Sequence, residues 1–342
     1  MQVPYTPDYS EEAKRFLHKI ETRRRRAATL CKRLSQPYRQ RIEHRLTYWT
    51  KHDAVAYPYV EGHGQMPDFE NPKGFNEKVR AQFLRPMSPL MTICSDKIAI
   101  HAFLKHAGLQ APAPKILATA RDTQEFEREV APQLQDGKAY IKANNASGFN
   151  LHWKNSNRRQ AYYKQFDYWL SQDFWRRVGE YQYQGIRPQL LAEAYIQPKR
   201  QMTEYKVHCF QGEPEFISAI TQSDPEDEKS RKRNTYYPDW TEAPFATPLF
   251  EHLPAPLPRP ADLDLILEDS RRLSKWFLYA RIDFMHFDDE LRFSELTVAN
   301  AGARYPLLPL RFNKVYGDKM NMERLPELVK AGEQTVAEMG AT

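Results

Sequence analysis

Residues 281–297 limit what this chain can fold into more than any other stretch. Ile282, Phe284, Leu291 and Phe293 alternate with other residues in two short segments separated by Asp288-Asp289-Glu290. Such alternation marks half-buried strands and the acidic trio marks a turn, so a β-hairpin is predicted. A turn centred on Asp289 sets Phe287 opposite Leu291, Asp283 opposite Glu295 and Arg281 opposite Thr297. Carboxylates directly across a ladder repel, their Cβ atoms being about 5 Å apart. Something positive is therefore expected between them, and an oxygen-preferring divalent cation, Mg2+ or Mn2+, is the natural candidate. The alternatives are an ordinary solvated strand pair, or an even turn that sets Asp283 opposite Ser294 or Leu296.

The 342 residues suffice for two or three packed units. With 41% hydrophobic and 13% aromatic residues the chain reads as soluble and globular, and no apolar run of about 18 residues offers a membrane span. Met1-Gln2-Val3-Pro4-Tyr5 lacks the basic-then-apolar pattern of a signal peptide, so a cytoplasmic location is expected. Three dispersed cysteines, Cys31, Cys94 and Cys209, suit a reducing compartment and exclude a disulfide framework or a thiolate zinc cage.

The net charge of +6 is unevenly spread. Arg23-Arg24-Arg25-Arg26, Lys32-Arg33, Arg39, Arg41 and Arg45 cluster near the start, where Phe16, Leu17, Ile20, Ala27, Leu30, Cys31 and Leu34 recur at roughly helical spacing. A basic amphipathic helix N-capped by Ser10 is predicted. Its basic face is either simply solvated or meets an anionic membrane surface or an acidic polymer such as polysaccharide. No nucleic-acid-binding motif accompanies it, so nucleic acid is not an expected partner.

Glu61-Gly62-His63-Gly64 breaks the helical pattern, after which 75–83 reads as helical. A further helix is expected from Ser95 as N-cap to Gly108 as terminator. Residues 115–118 read as a strand, and helical patterns at 123–134 and 158–170 flank a hairpin of 139–142 with 150–153. A buried strand is predicted at 188–196 and a second hairpin at 204–210 and 215–220, around Gln211-Gly212. Residues 223–232 read as a mobile charged loop, 263–278 as a helix, and 321–339 as a helix interrupted at Pro326. Hairpins alternating with helices indicate an α+β architecture rather than a doubly wound parallel sheet.

No GxxxxGK[ST] loop, GxGxxG or protein-kinase catalytic loop is present, so a nucleotide would have to be held another way. Lys142 ends a strand before a polar loop whose Ala146, Ser147 and Gly148 would let backbone N–H groups approach a polyanion, although such residues are also ordinary turn formers. Lys206 shares one strand face with His208, while Tyr205, Val207 and Cys209 fill the other. It either meets an anion in a cleft or guards an edge strand. His152 and His208 are candidate substrate contacts, whereas no HxH or HExxH spacing supports a histidine metal site. No GxSxG elbow or Cys/His signature supplies a covalent nucleophile.

Asp96-Lys97, Lys142 followed by Ser147-Gly148, Glu193, Lys206, and Arg281-x-Asp283 followed by Glu295-x-Thr297 stand in an order that resembles the ATP-grasp superfamily. Asn76-Glu77-Lys78, Asp96-Lys97, Tyr205-Lys206-Val207-His208-Cys209-Phe210-Gln211-Gly212, Tyr237-Pro238-Asp239-Trp240 and Glu295-Leu296-Thr297 are similar, more narrowly, to its TupA-like branch, named for teichuronopeptide biosynthesis. The resemblance covers residues 70–315. It implies two α+β lobes gripping ATP between antiparallel sheets: a basic helical extension at 1–68, a helical segment at 69–118, a small lobe at 119–198 and a large lobe at 199–342. On that pattern Lys97 and Lys142 contact the α- and β-phosphates, with Ser147 and Gly148 in the loop folded over them. Glu193 and the backbone of Ala194, Tyr195 and Ile196 line the adenine pocket, and Lys206 reaches the γ-phosphate. Asp283 and Glu295 hold Mg2+, with Mn2+ as a substitute, and Arg281 stabilises the transferred phosphoryl group. Thr297 stands where most superfamily members carry Asn and offers a hydroxyl to a metal.

The implied activity is ATP-dependent carboxylate–amine ligation through an acyl phosphate. The acid would be a uronic acid of a surface polysaccharide or its precursor, and the amine an amino acid. The basic helix and Arg304 are compatible with an acidic glycan. Alternatives on the same fold are a sugar kinase or another transferase of polysaccharide biosynthesis, and a different class is a non-catalytic scaffold binding glycan or membrane. The expected location is cytoplasmic, with contact at the inner membrane face as the alternative in which the basic helix docks there.

Overall fold

The computed structural model of the protein describes residues 5–35, 38–154, 156–196, 202–222, 230–287 and 290–340. Its first part is helical. In α1 (Glu11–Leu30), Ser10 Oγ accepts from the Ala13 N–H at 3.2 Å, and Glu11 and Glu12 in the first turn complement the helix dipole. α2 (Tyr38–Thr47) and α3 (Lys51–His63) follow. Only Gly64, in the left-handed region, leaves α3, so Glu61, Gly62 and His63 continue the helix they were predicted to break. α4 (Phe75–Ala81) agrees with expectation. α5 (Pro89–Ser95) has no sequence-predicted counterpart; Ser88 caps it and Pro89 opens it, where a missing N–H is harmless. Ser95 therefore ends one helix rather than capping the next. Asp96 Oδ1 accepts from the Ile98 and Ala99 N–H groups at 2.8 and 3.3 Å, leading into α6 (Ile100–Ala107), which stops at Gly108 as predicted.

The central part holds β1 (Ile116–Ala120), α7 (Thr123–Glu125) prolonged by tighter and wider turns to Gln133, β2 (Ala139–Ala143), β3 (Asn150–His152), α8 (Arg159–Ser171), α9 (Phe174–Val178) and β4 (Leu190–Ala194). Its strands form one antiparallel sheet in the order β1-β4-β2-β3. Ala139, Ile141, Ala143, Leu190 and Ala192 alternate onto one face and pack with Phe126, Trp153, Phe166 and Trp169. The alternate residues Tyr140, Lys142 and Glu193 take the other face.

A second sheet follows: β5 (Thr203–Phe210), β6 (Glu213–Gln222), β7 (Arg231–Tyr236), β8 (Glu251–His252), then α10 (Leu263–Ser274), β9 (Tyr279–Phe287) and β10 (Glu290–Thr297). The order is β10-β9-β5-β6-β7-β8, with β7–β8 parallel and the other pairs antiparallel. Gln211 and Gly212 turn β5 into β6 at φ of 51° and 95°, and a side chain at 212 would stand 3.1 Å from Lys275 Cα. Arg231 and Lys232 belong to β7 rather than to the predicted loop, of which 223–229 lie outside the described residues. Val207, Cys209, Ile217, Ala219, Ile282 and Phe284 share an apolar cluster with Ile266 and Leu273 of α10. Burial of each Val, Ile, Leu or Phe among them contributes about 1.5–3 kcal/mol, so this face pins the register and sends the intervening residues to the opposite face. Phe16, Ile20, Val55 and Val60 of the N-terminal helices belong to the same cluster. α11 (Arg311–Asp318) and α12 (Leu325–Gly340) close the chain. Pro326 is the second residue of α12, so it starts that helix instead of interrupting it.

Candidate active site

Register alone gathers the charged side chains of β5, β9 and β10. Asp283 lies between Lys206 on one side and Glu295 on the other, while Arg281 lies between His208 and Thr297. The predicted Asp283–Glu295 and Arg281–Thr297 pairs are present, but by another route. At the tip Phe287 faces Glu290, not Leu291, and Asp288 and Asp289 of the predicted turn lie outside the described residues. A β-bulge between Phe293 and Glu295 then shifts the pairing by one. It lets Phe293 pair with Phe284 while Glu295, two residues on, pairs with Asp283, a change of face that regular alternation forbids.

The positive group between the carboxylates is Arg281. Its Nε and Nη2 donate to Asp283 at 2.7 and 2.6 Å, Nη2 also reaches Glu295 at 2.7 Å, and Nη1 donates to Asn300 Oδ1 at 2.7 Å. Lys206 Nζ donates to Asp283 at 2.8 Å and stands 3.0 Å from Glu204, which also takes Arg231 at 2.7 Å. Burial by itself would raise the Asp283 carboxyl, but Arg281 and Lys206 reverse this and hold it well below the usual carboxylate range. Burial likewise works against the charges of Arg281 and Lys206, and Asp283 lifts both above their ordinary values.

A cleft joins the two sheets, lined by Lys97, Lys142 and Glu193 together with Ser294, Glu295 and Thr297. The Lys142 and Glu193 side chains form an ion pair, and the Lys97 ammonium donates to the Ala146 carbonyl. Burial pushes Lys97 down to about 8, against the pull of Glu295 and with a contribution from Lys142. Ser147 and Gly148 are exposed beyond Ala146 and do not line this cleft. The Ala194 and Tyr195 N–H groups donate at 2.9 Å to the Lys115 and Lys138 carbonyls, so neither is available to read a base; Ile196 follows them, partly exposed. His208 cannot contact a substrate as predicted: it is buried, shares a 2.9 Å hydrogen bond with Tyr279 Oη and stacks on Phe216. Burial holds its imidazole well below the usual range, hence neutral. His152 stacks on Tyr140 and leans on Tyr195.

Two residues escaped the sequence reading. Asn300 supplies the amide oxygen that fixes the third corner of Arg281, and an Asn five positions after Glu295 was the available signal. Arg80 is buried and donates to the carbonyls of Val55, Gly302, Ala54 and Val178 at 2.8 to 3.3 Å, fastening the turn after β10 to α3. A single arginine in a short helix carries no such signal.

For a divalent cation the two acids differ. Both Asp283 oxygens are held by Arg281 and Lys206, whereas Arg281 holds Glu295 by one oxygen and its side chain is 46% exposed. Glu295 and Thr297 thus present hard oxygen donors to the cleft. Among the described residues no three His, Cys, Asp or Glu side chains converge as a metal cage. This donor set fits Mg2+ that takes its remaining ligands from phosphate and water, the usual arrangement for that ion.

Two α+β layers with largely antiparallel sheets, and with lysines and a carboxylate hairpin around the cleft between them, make an ATP-grasp architecture. The chain belongs to the TupA-like ATP-grasp family, whose model matches residues 91–321. It is similar to the crystal structure of D-alanine–D-alanine ligase from Bacillus anthracis complexed with ATP, at 15% identity over 71% of this chain and 67% of that one, with a TM-score of 0.39. It is also similar to L-amino acid ligase from Bacillus licheniformis, at 15% identity over 74% and 55% with a TM-score of 0.41. For N5-carboxyaminoimidazole synthase from Aspergillus clavatus the values are 12% over 64% and 46%, with 0.36. The chain thus spans from about half to two thirds of these neighbours' own lengths. No curated protein matches the chain.

Proposed function

We propose that the protein is an ATP-dependent carboxylate–amine ligase working through an acyl phosphate. The observation that carries this reading is the convergence of Lys97, Lys142, Glu295 and Thr297 on one cleft, with Arg281 braced behind Glu295 by Asp283. ATP with Mg2+, when bound, supplies the phosphoryl donor and the cation that neutralises it. Lys97 and Lys142 hold the polyphosphate as point charges, Lys142 leaving its pairing with Glu193 to do so. Glu295 and Thr297 would hold the metal, and Lys206 would turn from Asp283 to the terminal phosphate. Arg281, kept charged and oriented by Asp283 and Asn300, meets the charge that builds as a carboxylate oxygen of the acceptor bonds to phosphorus and the bond to the leaving ADP breaks. The amine nitrogen then bonds to the acyl carbon, and inorganic phosphate leaves. Positioning and charge neutralisation suffice for both steps, without a covalent protein nucleophile.

Charge balance supports the same reading. Lys97, Lys142, Lys206, Arg231 and Arg281 stand against Asp96, Glu193, Glu204, Asp283 and Glu295. A polyphosphate entering this balanced site brings unmatched negative charge, which a divalent cation offsets. The finer reading, a uronic acid of a surface polysaccharide or its precursor joined to an amino acid, rests on the family's association with teichuronopeptide biosynthesis.

Incubation with ATP, Mg2+, candidate uronic acids and hydroxylamine is expected to release ADP and yield a hydroxamate. With amino acids in place of hydroxylamine, mass spectrometry is expected to show an amide. A phosphorylated sugar formed without any amine would overturn ligation in favour of a kinase.

A further inference from the structure

Tyr38, Ile42 and Leu46 recur every fourth residue along one face of α2, Leu30 and Leu34 stand at the end of α1 and in the turn before α2, and Trp49 follows. All are exposed, Leu30 by 74%, Trp49 by 69% and Tyr38 by 64%. They are six of the ten large apolar side chains exposed among the described residues, so the exposure is concentrated and not scattered. The core-facing side of α1 is a different set, with Phe16, Ile20 and Ala27 buried. The Arg23 guanidinium lies 3.6 Å from the Trp49 ring centre, which brings the chain after α2 back alongside α1 as a helical hairpin.

The same hairpin carries the charge. Residues 23–51 contain ten basic and one acidic side chain, a net +9 against +6 for the whole chain, so the remainder is net negative. Arg26, Lys32 and Arg33 are exposed and have no acidic partner among the described residues.

We propose that the α1–α2 hairpin docks on an anionic lipid bilayer, its apolar row entering the boundary between headgroups and acyl chains while its arginines and lysines meet the headgroups. A soluble polyanion accounts for the charge but gives no reason for an apolar side chain at every fourth position. A second copy of the chain would cover the apolar row only by bringing two sets of the exposed, unpaired Arg26, Lys32 and Arg33 together. A bilayer matches both features, and tyrosine and tryptophan suit the headgroup level, where one end of each ring system is wet. Among the described residues no helix is long and apolar enough to cross a membrane, so the hairpin lies on the surface. The inference stands apart from the ligase reading, because it is measured without turnover.

The test is co-sedimentation of the full-length protein with vesicles of phosphatidylcholine, alone or mixed with phosphatidylglycerol. Binding is expected to rise about tenfold or more with the anionic lipid and to fall as salt is added. The combined variant Leu30→Ser, Leu34→Ser, Tyr38→Ser keeps the charge and alters exposed positions, so its melting temperature should be unchanged. It is expected to lose about tenfold or more of the vesicle binding. Arg26→Ser, Lys32→Ser, Arg33→Ser is expected to lose both binding and its salt dependence. Equal binding to neutral vesicles would overturn the proposal, and so would undiminished binding by the apolar-to-serine variant, the result for a purely electrostatic polymer site. A concentration-dependent dimer that this variant abolishes would equally overturn it, assigning the row to a second copy.

Discussion

Arg281 sits where the carboxylates of β9 and β10 call for a positive charge, and its planar fork reaches Asp283, Glu295 and Asn300 together. The electrostatic demand was legible in the sequence, since it follows from the facing acids; that a side chain from the same strand meets it depends on distances no spacing rule supplies. Glu295 is half exposed and held by one oxygen, so Glu295→Gln is expected to abolish ADP release while leaving the melting temperature nearly unchanged. Wild-type turnover in that variant would remove Glu295 from the metal site. Lys97 gives a pH prediction. Burial brings its ammonium to about 8, so it is charged below that pH and loses its grip on phosphate as pH rises through it. KM for ATP should therefore climb above pH 8, and Lys97→Arg, charged throughout, should flatten that limb. An identical rise in both would assign the limb to another group.

Elements with a clean period were legible and those made by tertiary contact were not. The β5–β6 hairpin shows alternation around Gln211-Gly212, and the structure places it there. α5 has seven residues, too few to show a helical period. β7 reads Arg-Lys-Arg-Asn-Thr-Tyr and resembles a charged loop, yet Arg233, Asn234 and Thr235 are buried. His208 was placed on the correct face of β5, but whether that face is open at that point depends on Tyr279 and Phe216. The β2–β3 connection offers a test of its own. Gly148 has φ of 74° with nothing within 4 Å of a built Cβ, so a side chain there would meet conformational strain and no clash. Gly148→Ala should disfavour the native loop by about 1–2 kcal/mol. Since the residue is exposed, that strain is expected to appear as a roughly tenfold higher KM for ATP and not as unfolding. An unchanged KM would mean that the loop does not close over the phosphates.

Across the whole molecule the N-terminal helices and the second sheet share one apolar cluster. The sequence shows the basic face of α1, but the apolar cluster that joins Phe16, Ile20, Val55 and Val60 to the second sheet is long-range and has no local signature. Arg80 makes the connection specific: its guanidinium binds carbonyls of α3, the end of α9 and Gly302, in the turn that also carries Asn300. Asn300 in turn accepts from Arg281, so two hydrogen-bonded steps and the backbone of 300–302 connect α3 to the Arg281 guanidinium. Burial lowers the Arg80 guanidinium to about 10, with Glu180 opposing, so it remains charged at neutral pH and its bonds to neutral carbonyls are charge-assisted. Arg80→Met fills similar volume but leaves those carbonyls short of donors and Glu180 buried without its cation. It is expected to destabilise the protein by about 3–5 kcal/mol in urea unfolding and to lower kcat in the surviving folded fraction. Glu61→Gln, which breaks the half-exposed pair with Arg304 and keeps an amide oxygen for Tyr57, should change stability by less than about 1 kcal/mol. If Arg80→Met kept wild-type kcat per folded molecule, the helices would support the fold without bracing the site, and catalysis would depend on the two sheets alone.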